Sequence, residues 1–146
     1  MHTDEEMTLA DYRALAEFRY QLRRFLRFSE QVTREMDLEP QQHQLLLALK
    51  GLPEGRNATI GDIAERLQLR HHSTVELIDR LVERGLIERT RDETDQRRVL
   101  IKLTPEGEEE LKKLSALHRT ELQSTGPALV QALNELINSK EVGQTG

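Results

Sequence analysis

The sequence predicts a mainly α-helical protein with one small antiparallel β-hairpin. Leucine supplies most of the apolar side chains and aromatic residues make up only 3% of the chain, which favours helices over sheets. Apolar residues recur at spacings of three and four along most of the chain, as one face of a helix requires. Between residues 86 and 103 apolar and polar residues alternate instead, which is typical of short half-buried strands.

Each predicted helix begins or ends at a local signal. The first ends before Pro40, because proline disfavours the helical conformation of the residue that precedes it. Thr59 is a suitable N-cap for the third, and Gly85 suits the left-handed position beyond the end of the fourth. Thr104 and Pro105 begin the next helix as N-cap and first residue. The predicted helices cover residues 8–36, 41–50, 59–68 and 71–84, then two stretches after Thr104 that are separated at Gly126–Pro127.

The hairpin is predicted from two runs at residues 86–90 and 98–103. In the second run Val99, Ile101 and Leu103 alternate with other side chains, so one face of the strand is apolar. The connecting loop, "RDETDQR", is polar throughout and is expected to protrude. The hairpin tip therefore carries a concentration of arginines.

Composition excludes several classes of protein. The chain has 146 residues, about one domain, and no cysteine, so disulfides, thiolate metal sites and thiol redox sensing are excluded. The start "MHTDEEM" lacks the pattern of a secretion signal, and no apolar run approaches the 18 or so residues of a membrane span. No catalytic motif or paired carboxylates stand in an apolar setting. We expect a soluble, cytoplasmic protein that is not an enzyme and needs no cofactor.

The charge is unevenly distributed. The chain carries 21 Lys and Arg against 26 Asp and Glu, a net charge of −5. Residues 70–102 hold eight basic and seven acidic side chains, 8 − 7 = +1, and the remainder holds thirteen and nineteen, 13 − 19 = −6. Association with a charged partner depends on the local potential more than on the total, so the acidic balance does not exclude nucleic acid.

A short helix, a tight turn, a second helix and a hairpin form a winged helix-turn-helix. The second helix of such a unit can enter the major groove of DNA. Arginines at the tip of the wing, the hairpin, can then meet phosphates or a narrow minor groove. The alternative is a winged-helix protein-interaction module without DNA binding, which would have no reason to keep arginines at the tip.

Four stretches resemble the MarR family of bacterial transcriptional regulators: "IGDIAERLQL", "STVELIDRLVERGLIER", "DQRR" and "LTPEG". The resemblance implies a homodimer whose terminal helices interlock, with residues 1–36 and 106–146 as dimerisation helices and residues 37–105 as the DNA-binding winged helix-turn-helix. It also implies a double-stranded, pseudo-palindromic operator and a repressor that is relieved by a small aromatic or phenolic effector.

The resemblance also assigns roles to single residues. It places the family's wing arginine at Arg97, its wing aspartate, a brace for that arginine, at Asp95, and a phosphate-contacting helix arginine at Arg80. Val75 and Glu76 depart from the family's usual Ser or Thr and Arg, so the base preference cannot be transferred. The residues expected to contact DNA are His71, His72, Ser73, Thr74, Val75, Glu76, Arg80, Arg97 and Arg98.

Several of these residues have a second interpretation. Ser73 and Glu76 fit the sequence pattern of a capping box. In that interpretation the helix starts about three residues later, and Glu76 caps the helix instead of contacting a base. Arg80 could pair with Glu76 one turn away instead of binding phosphate. Arg97 and Arg98 could be solvated loop charges. His72 and Glu76 are too few for a metal site.

A ligand site is also suggested by the resemblance. His43, Arg23 and Arg24 lie where the first two helices could flank the family's effector pocket. Such residues can equally be interfacial without binding a ligand.

Overall fold

A computed structural model describes residues 6–144, with side chains described as far as residue 139. It is mainly helical with one two-stranded antiparallel sheet, which confirms the predicted fold class. The elements, in chain order, are α1 (Leu9–Glu35), α2 (Pro40–Lys50), α3 (Ile60–Leu67), α4 (His71–Glu83), β1 (Ile87–Arg91), β2 (Val99–Leu103) and α5 (Pro105–Gln144).

The predicted break at Gly126–Pro127 is wrong, because α5 continues through it with Pro127 inside the helix. A proline within a helix removes one backbone hydrogen bond and crowds the preceding turn. Here long helical stretches on both sides favour continuation. The Thr125 hydroxyl also donates to the carbonyl of Glu121 at 3.0 Å, a contact that accompanies bent helices.

The chain divides into two compact units, and one of them is Val32–Ala116. This unit contains the end of α1, helices α2 to α4, the hairpin and the start of α5. Its core is a cluster of leucine and isoleucine side chains from α2, α3, α4, the hairpin, the start of α5 and the connections between them, and Val32 at the end of α1 packs against this cluster. The fully buried members include Leu38, Leu45, Leu46, Ile63, Ile78, Leu81, Ile87 and Leu114.

The turn between α3 and α4 is a tight helix-turn-helix connection. The Thr59 side chain accepts a hydrogen bond from the Asp62 backbone at 3.1 Å, which caps the start of α3. At the other end Gln68 adopts a left-handed conformation with φ 56°, and the N–H of Leu69 returns to the carbonyl of Ala64 at 3.0 Å. These bonds fix the entry into α4.

The hairpin is joined to α4 and α5 through Thr104. Its hydroxyl donates to the carbonyl of Gly85, at the end of α4, at 2.6 Å and accepts from the N–H of Gly107 at 3.0 Å. Gly107 lies so close to the backbone at Leu86 that an added Cβ would overlap its carbonyl oxygen. The stretch "LTPEG" thus closes the winged helix-turn-helix onto the start of α5.

The other unit consists of Met1–Gln31 and Leu117–Gly146. The expected dimerisation ranges include residues 1–5, 145 and 146, which lie outside the described residues. Within the unit His118 Nε2 lies 2.7 Å from the buried hydroxyl of Ser29, and the rings of Phe25 and Phe28 each approach the imidazole edge-on at 5.9 Å. Many large apolar side chains of this unit are exposed, among them Leu9, Tyr12, Leu15, Leu122, Val130, Leu133 and Ile137.

None of the helices within residues 6–144 combines the length and the apolar content that are needed to cross a bilayer.

Candidate nucleic-acid interface

The outer face of α4 is polar and open to solvent. Its buried side packs Leu77, Ile78 and Leu81 into the core, which turns the opposite side outward. Of the residues expected to contact DNA, His71, His72, Glu76 and Arg80 are exposed, and Ser73 and Val75 are partly exposed. The structure therefore brings six of these side chains to one accessible helix surface.

Thr74 does not belong to that surface, which corrects the sequence-based set. Its side chain is fully buried, and its hydroxyl donates to the backbone carbonyl of Arg70 at 3.0 Å. Position 74 falls on the inward side of α4, one residue from the outward Ser73 and Val75. Thr74 therefore packs the start of the helix and has no surface to offer a base.

The helix starts at His71 and not at a Ser73–Glu76 capping box. Arg70 occupies the N-cap position in an extended conformation, with no side-chain hydrogen bond to the helix. Glu76 therefore lies in the second turn with an exposed side chain, and the capping interpretation of this residue is wrong.

Arg80 lies where α4 passes the start of α2. Arg80 and Leu77 line a cleft there with Glu39, the residue before α2, and with Pro40, Gln41 and Gln42 of the first turn of α2. Within the described side chains Arg80 makes no ion pair with Glu76 or any other carboxylate. The guanidinium is thus available to an anion.

The tip of the wing is organised by Asp95. Its Oδ1 accepts the backbone N–H of Arg97 at 3.1 Å and the Nε of the same residue at 3.2 Å. The Arg97 side chain is nevertheless 92% exposed. One carboxylate oxygen thus orients the arginine while leaving the rest of its guanidinium free to donate outward.

The base of the wing loop is held by Asp92. Its Oδ1 accepts the N–H of Thr94 at 3.0 Å and the Thr94 hydroxyl at 2.9 Å, and Oδ2 lies 3.8 Å from Arg98 Nε. The backbone hydrogen bond from Thr94, followed by its hydroxyl and the charge of Arg98, lowers the pKa of the Asp92 carboxyl from its ordinary value. Each of the two arginines thus pairs with an aspartate of the wing, but Arg97 is much the more exposed of the two.

An ion pair that the sequence did not predict joins the wing to α4. The Arg89 guanidinium, on β1, donates to the carboxylate of Asp79 on α4. The pairing register of the hairpin could have predicted this contact. Arg89 pairs with Ile101 on the other strand and lies two residues from Ile87. Alternation therefore places this arginine on the same sheet face as two buried isoleucines, and that face packs on the helices.

The three candidate ligand residues do not share one unit. His43 lies within Val32–Ala116 and is only 2% exposed. Arg23 and Arg24 lie in the other unit and are exposed, with the Arg24 guanidinium 5.6 Å from the centre of the Tyr20 ring. Neither unit by itself forms a pocket from the three. Among the described residues, no group of three or more His, Asp or Glu side chains is placed to hold a metal ion.

Known proteins match this chain in sequence and in fold. The sequence model described as MarR family matches residues 36–98. YsmB of Bacillus subtilis, described as an uncharacterized HTH-type transcriptional regulator, is 40% identical over 62 residues, which are 42% of this chain and 42% of that protein. The matching segment therefore spans less than half the length of that relative.

Two solved structures share the fold over nearly the whole chain. AbsC, a MarR family transcriptional regulator from Streptomyces coelicolor, has a TM-score of 0.71 at 20% identity, covering 97% of each chain. MepR of S. aureus, in a structure of its complex with DNA, has a TM-score of 0.65 at 23% identity, covering 96% of this chain and 98% of that one. The chain is therefore similar to the MarR family in sequence over residues 36–98, from the end of α1 to the wing loop, and shares the fold of these solved structures.

Proposed function

We propose that this chain is a DNA-binding transcriptional regulator that recognises a specific operator through α4 and the wing. The observation that carries the proposal is the pair of outward surfaces on one compact unit: the polar face of α4 and the exposed Arg97 of the wing. Members of the family are transcription regulators and not enzymes, so the function is one of binding. MepR, a protein of the same fold, has been solved with bound DNA.

In this proposal α4 lies in the major groove and supplies the base contacts. That groove is about 12 Å wide, enough to accept a helix. Glu76 can accept a hydrogen bond from a cytosine amino group, and Val75 can contact a thymine methyl group. Ser73, His71 and His72 lie at the start of the helix, and Arg80 binds a phosphate from the cleft beside α2.

The wing adds attraction that depends little on sequence. Arg97 reaches a phosphate or the minor groove, oriented by Asp95, which acts as a brace and not as a DNA contact. Arg98 is a weaker second contact, because only 40% of its side chain is exposed, against 92% for Arg97. Contacts of this kind set the register of the protein on the duplex and leave the reading of bases to α4.

The active form is proposed to be a homodimer on a pseudo-palindromic operator. In this proposal residues 37–105 are the DNA-binding part, and the dimerisation helices are α1 and α5, within the ranges 1–36 and 106–146. Support comes from the large apolar side chains that α1 and α5 leave exposed in a single chain, such as Val130 at 56% and Ile137 at 62%. Apolar stripes of this extent are normally covered by another helix.

The proposed activity is repression in the cytoplasm, relieved by a small aromatic or phenolic effector. Because the chain has no cysteine, relief cannot run through thiol oxidation. The effector must therefore act by binding one arrangement of the two DNA-reading units more tightly than another. His43, Arg23 and Arg24 are the candidates for that contact.

Selection of bound duplexes from a random pool tests the proposal. We expect an enriched, approximately two-fold symmetric sequence, and binding that weakens steeply as the salt concentration rises. Random duplex should bind more weakly, with a strong dependence on salt. If neither the pool nor random duplex is retained at low salt, the chain does not bind DNA and the docking-module alternative takes its place.

A further inference from the structure

The wing and α4 are joined by the exposed ion pair of Arg89 and Asp79. Arg89 extends from the sheet face that carries the buried side chains of Ile87 and Ile101, and reaches a carboxylate on the outer part of α4. The pair is partly open to water, with 39% of the arginine side chain and 52% of the aspartate side chain exposed. Exposed pairs contribute little to stability, so stability alone does not account for it.

The position of the pair matters for DNA. Asp79 is adjacent to Arg80 on the exposed side of α4, where an uncompensated carboxylate would repel phosphates. Arg89 neutralises that carboxylate and at the same time fixes the hairpin against the helix. A guanidinium suits this task because its planar fork is pre-organised and holds a carboxylate in a defined direction.

We propose that Arg89 is a positioning residue that sets the geometry between α4 and the wing and thereby determines discrimination between the operator and other duplexes. The inference rests on the proposed function, because discrimination has a meaning only if the chain binds DNA. Base contacts from α4 form only in the register that the phosphate contacts allow. A wing that is free to move must be ordered on binding, which reduces the affinity gained from a correct sequence.

The test uses the full-length chain and the duplex selected from the random pool, alongside random duplex. Arg89→Gln and Asp79→Asn each break the ion pair, and the double variant Asp79→Arg with Arg89→Asp exchanges its charges. Each single change should lower the ratio of selected to random affinity about tenfold, which is typical of coupled contacting residues. The charge exchange should recover most of that ratio. Lys102→Gln is the matched control, because it removes an exposed positive charge from the face of the hairpin opposite to Arg89.

Two other outcomes would overturn the inference. If Arg89 binds phosphate directly, Arg89→Gln should weaken binding to both duplexes equally and lower the salt dependence, Asp79→Asn should strengthen binding, and the charge exchange should not rescue. If the pair is merely structural, the variants should lower the melting temperature and leave the affinity ratio unchanged.

A measurement without DNA separates this inference from the proposed function. Because the chain has no cysteine, spin labels can be placed at Glu83→Cys on α4 and Glu93→Cys in the wing loop. Arg89→Gln should broaden the distribution of distances between the labels, and the charge exchange should narrow it again. An unchanged distribution overturns the positioning role. A wild-type chain that binds no duplex instead overturns the proposed function, while the label distances still decide whether Arg89 positions the wing.

Discussion

At the scale of single residues, the glycine of "LTPEG" is required by a close backbone approach. Gly107 lies in the first turn of α5, directly against the carbonyl of Leu86, and a Cβ there would overlap the oxygen and lie 3.2 Å from the Leu103 side chain. The Leu86 backbone cannot move aside as a flexible side chain can, so Gly107→Ala must separate the start of α5 from the hairpin. We expect a loss of about 2 kcal/mol or more in the free energy of unfolding, as for other overpacked sites.

Gly61→Ala is the matched control for that change. Gly61 lies in the first turn of α3, and the nearest atom to an added Cβ, beyond its chain neighbours and the backbone of its own helix, is the Thr59 hydroxyl at 3.9 Å, an ordinary contact. Because alanine is the better helix former, this variant should gain up to about 1 kcal/mol of stability. Urea denaturation of both variants measures the difference. Equal effects of the two substitutions would show that the approach at Leu86 is not tight.

Residue-level prediction succeeded where one local signal decided the outcome. Thr59, Gly85 and Thr104 take the capping and turn positions that their neighbours indicated. The sequence analysis did not predict that Thr74 faces the core. Successive residues of a helix are only about 100° apart around its axis, so a buried position can lie directly beside exposed ones. The Arg89–Asp79 pair was missed because it joins elements whose relative placement depends on the core beneath them.

At the scale of elements, the start of α4 at His71 removes the capping role of Glu76 and leaves the base contact that we propose for it. The helix begins at His71, and Glu76 is exposed in its second turn. Glu76→Ala should therefore change the melting temperature little, as surface substitutions usually do. It should cost about 1–3 kcal/mol of binding free energy at one operator position and relax the preference there. A base-substitution scan of the selected duplex, with wild type and variant, measures this.

Glu83→Ala serves as the control for Glu76→Ala. Glu83 is exposed in the last turn of α4 and carries the same charge, so the removal of charge alone would affect both variants alike. If the base preference of the Glu76→Ala variant equals that of the wild type, Glu76 does not read a base.

The extent of each element was largely predictable, and the exception has a physical reason. Hydrophobic periodicity and caps placed all four helices before the hairpin within about two residues of their observed bounds. The Gly126–Pro127 pair is a local signal for a break, but α5 continues because local propensity is outweighed by the long helical segments on both sides.

At the scale of the whole molecule, the proposed dimer would cover the apolar side chains that the terminal helices leave exposed. Sedimentation should give about twice the chain mass of 16.9 kDa at micromolar concentration. Ile137→Glu places a charge on an apolar side chain that is 62% exposed in the single chain. If a partner covers it, the variant should shift the protein toward monomer, because burying an unpaired charge is costly.

Gln131→Glu is the control for the dimer, since it adds the same charge at an exposed polar position of α5 that lies about 120° around the helix from Ile137. It should leave the association state unchanged. A wild-type chain that sediments as a stable monomer, or an Ile137→Glu variant that remains dimeric, would contradict the proposed role of these helices.

The central claim is that α4 and the wing bind DNA, and the salt dependence of Arg97→Ala tests it most directly. Affinities of wild type, Arg97→Ala and the control Arg119→Ala are measured for the selected and the random duplex over a series of salt concentrations. Arg119 is an exposed arginine of α5 outside the proposed interface. Arg97→Ala should weaken binding to both duplexes and reduce the slope of log K against log salt by about 0.9 for every phosphate that is no longer neutralised in each half-site. Arg119→Ala should match the wild type. An unchanged slope and unchanged affinity for Arg97→Ala would show that the wing does not touch DNA, and the protein-docking alternative would then be the better account of this fold.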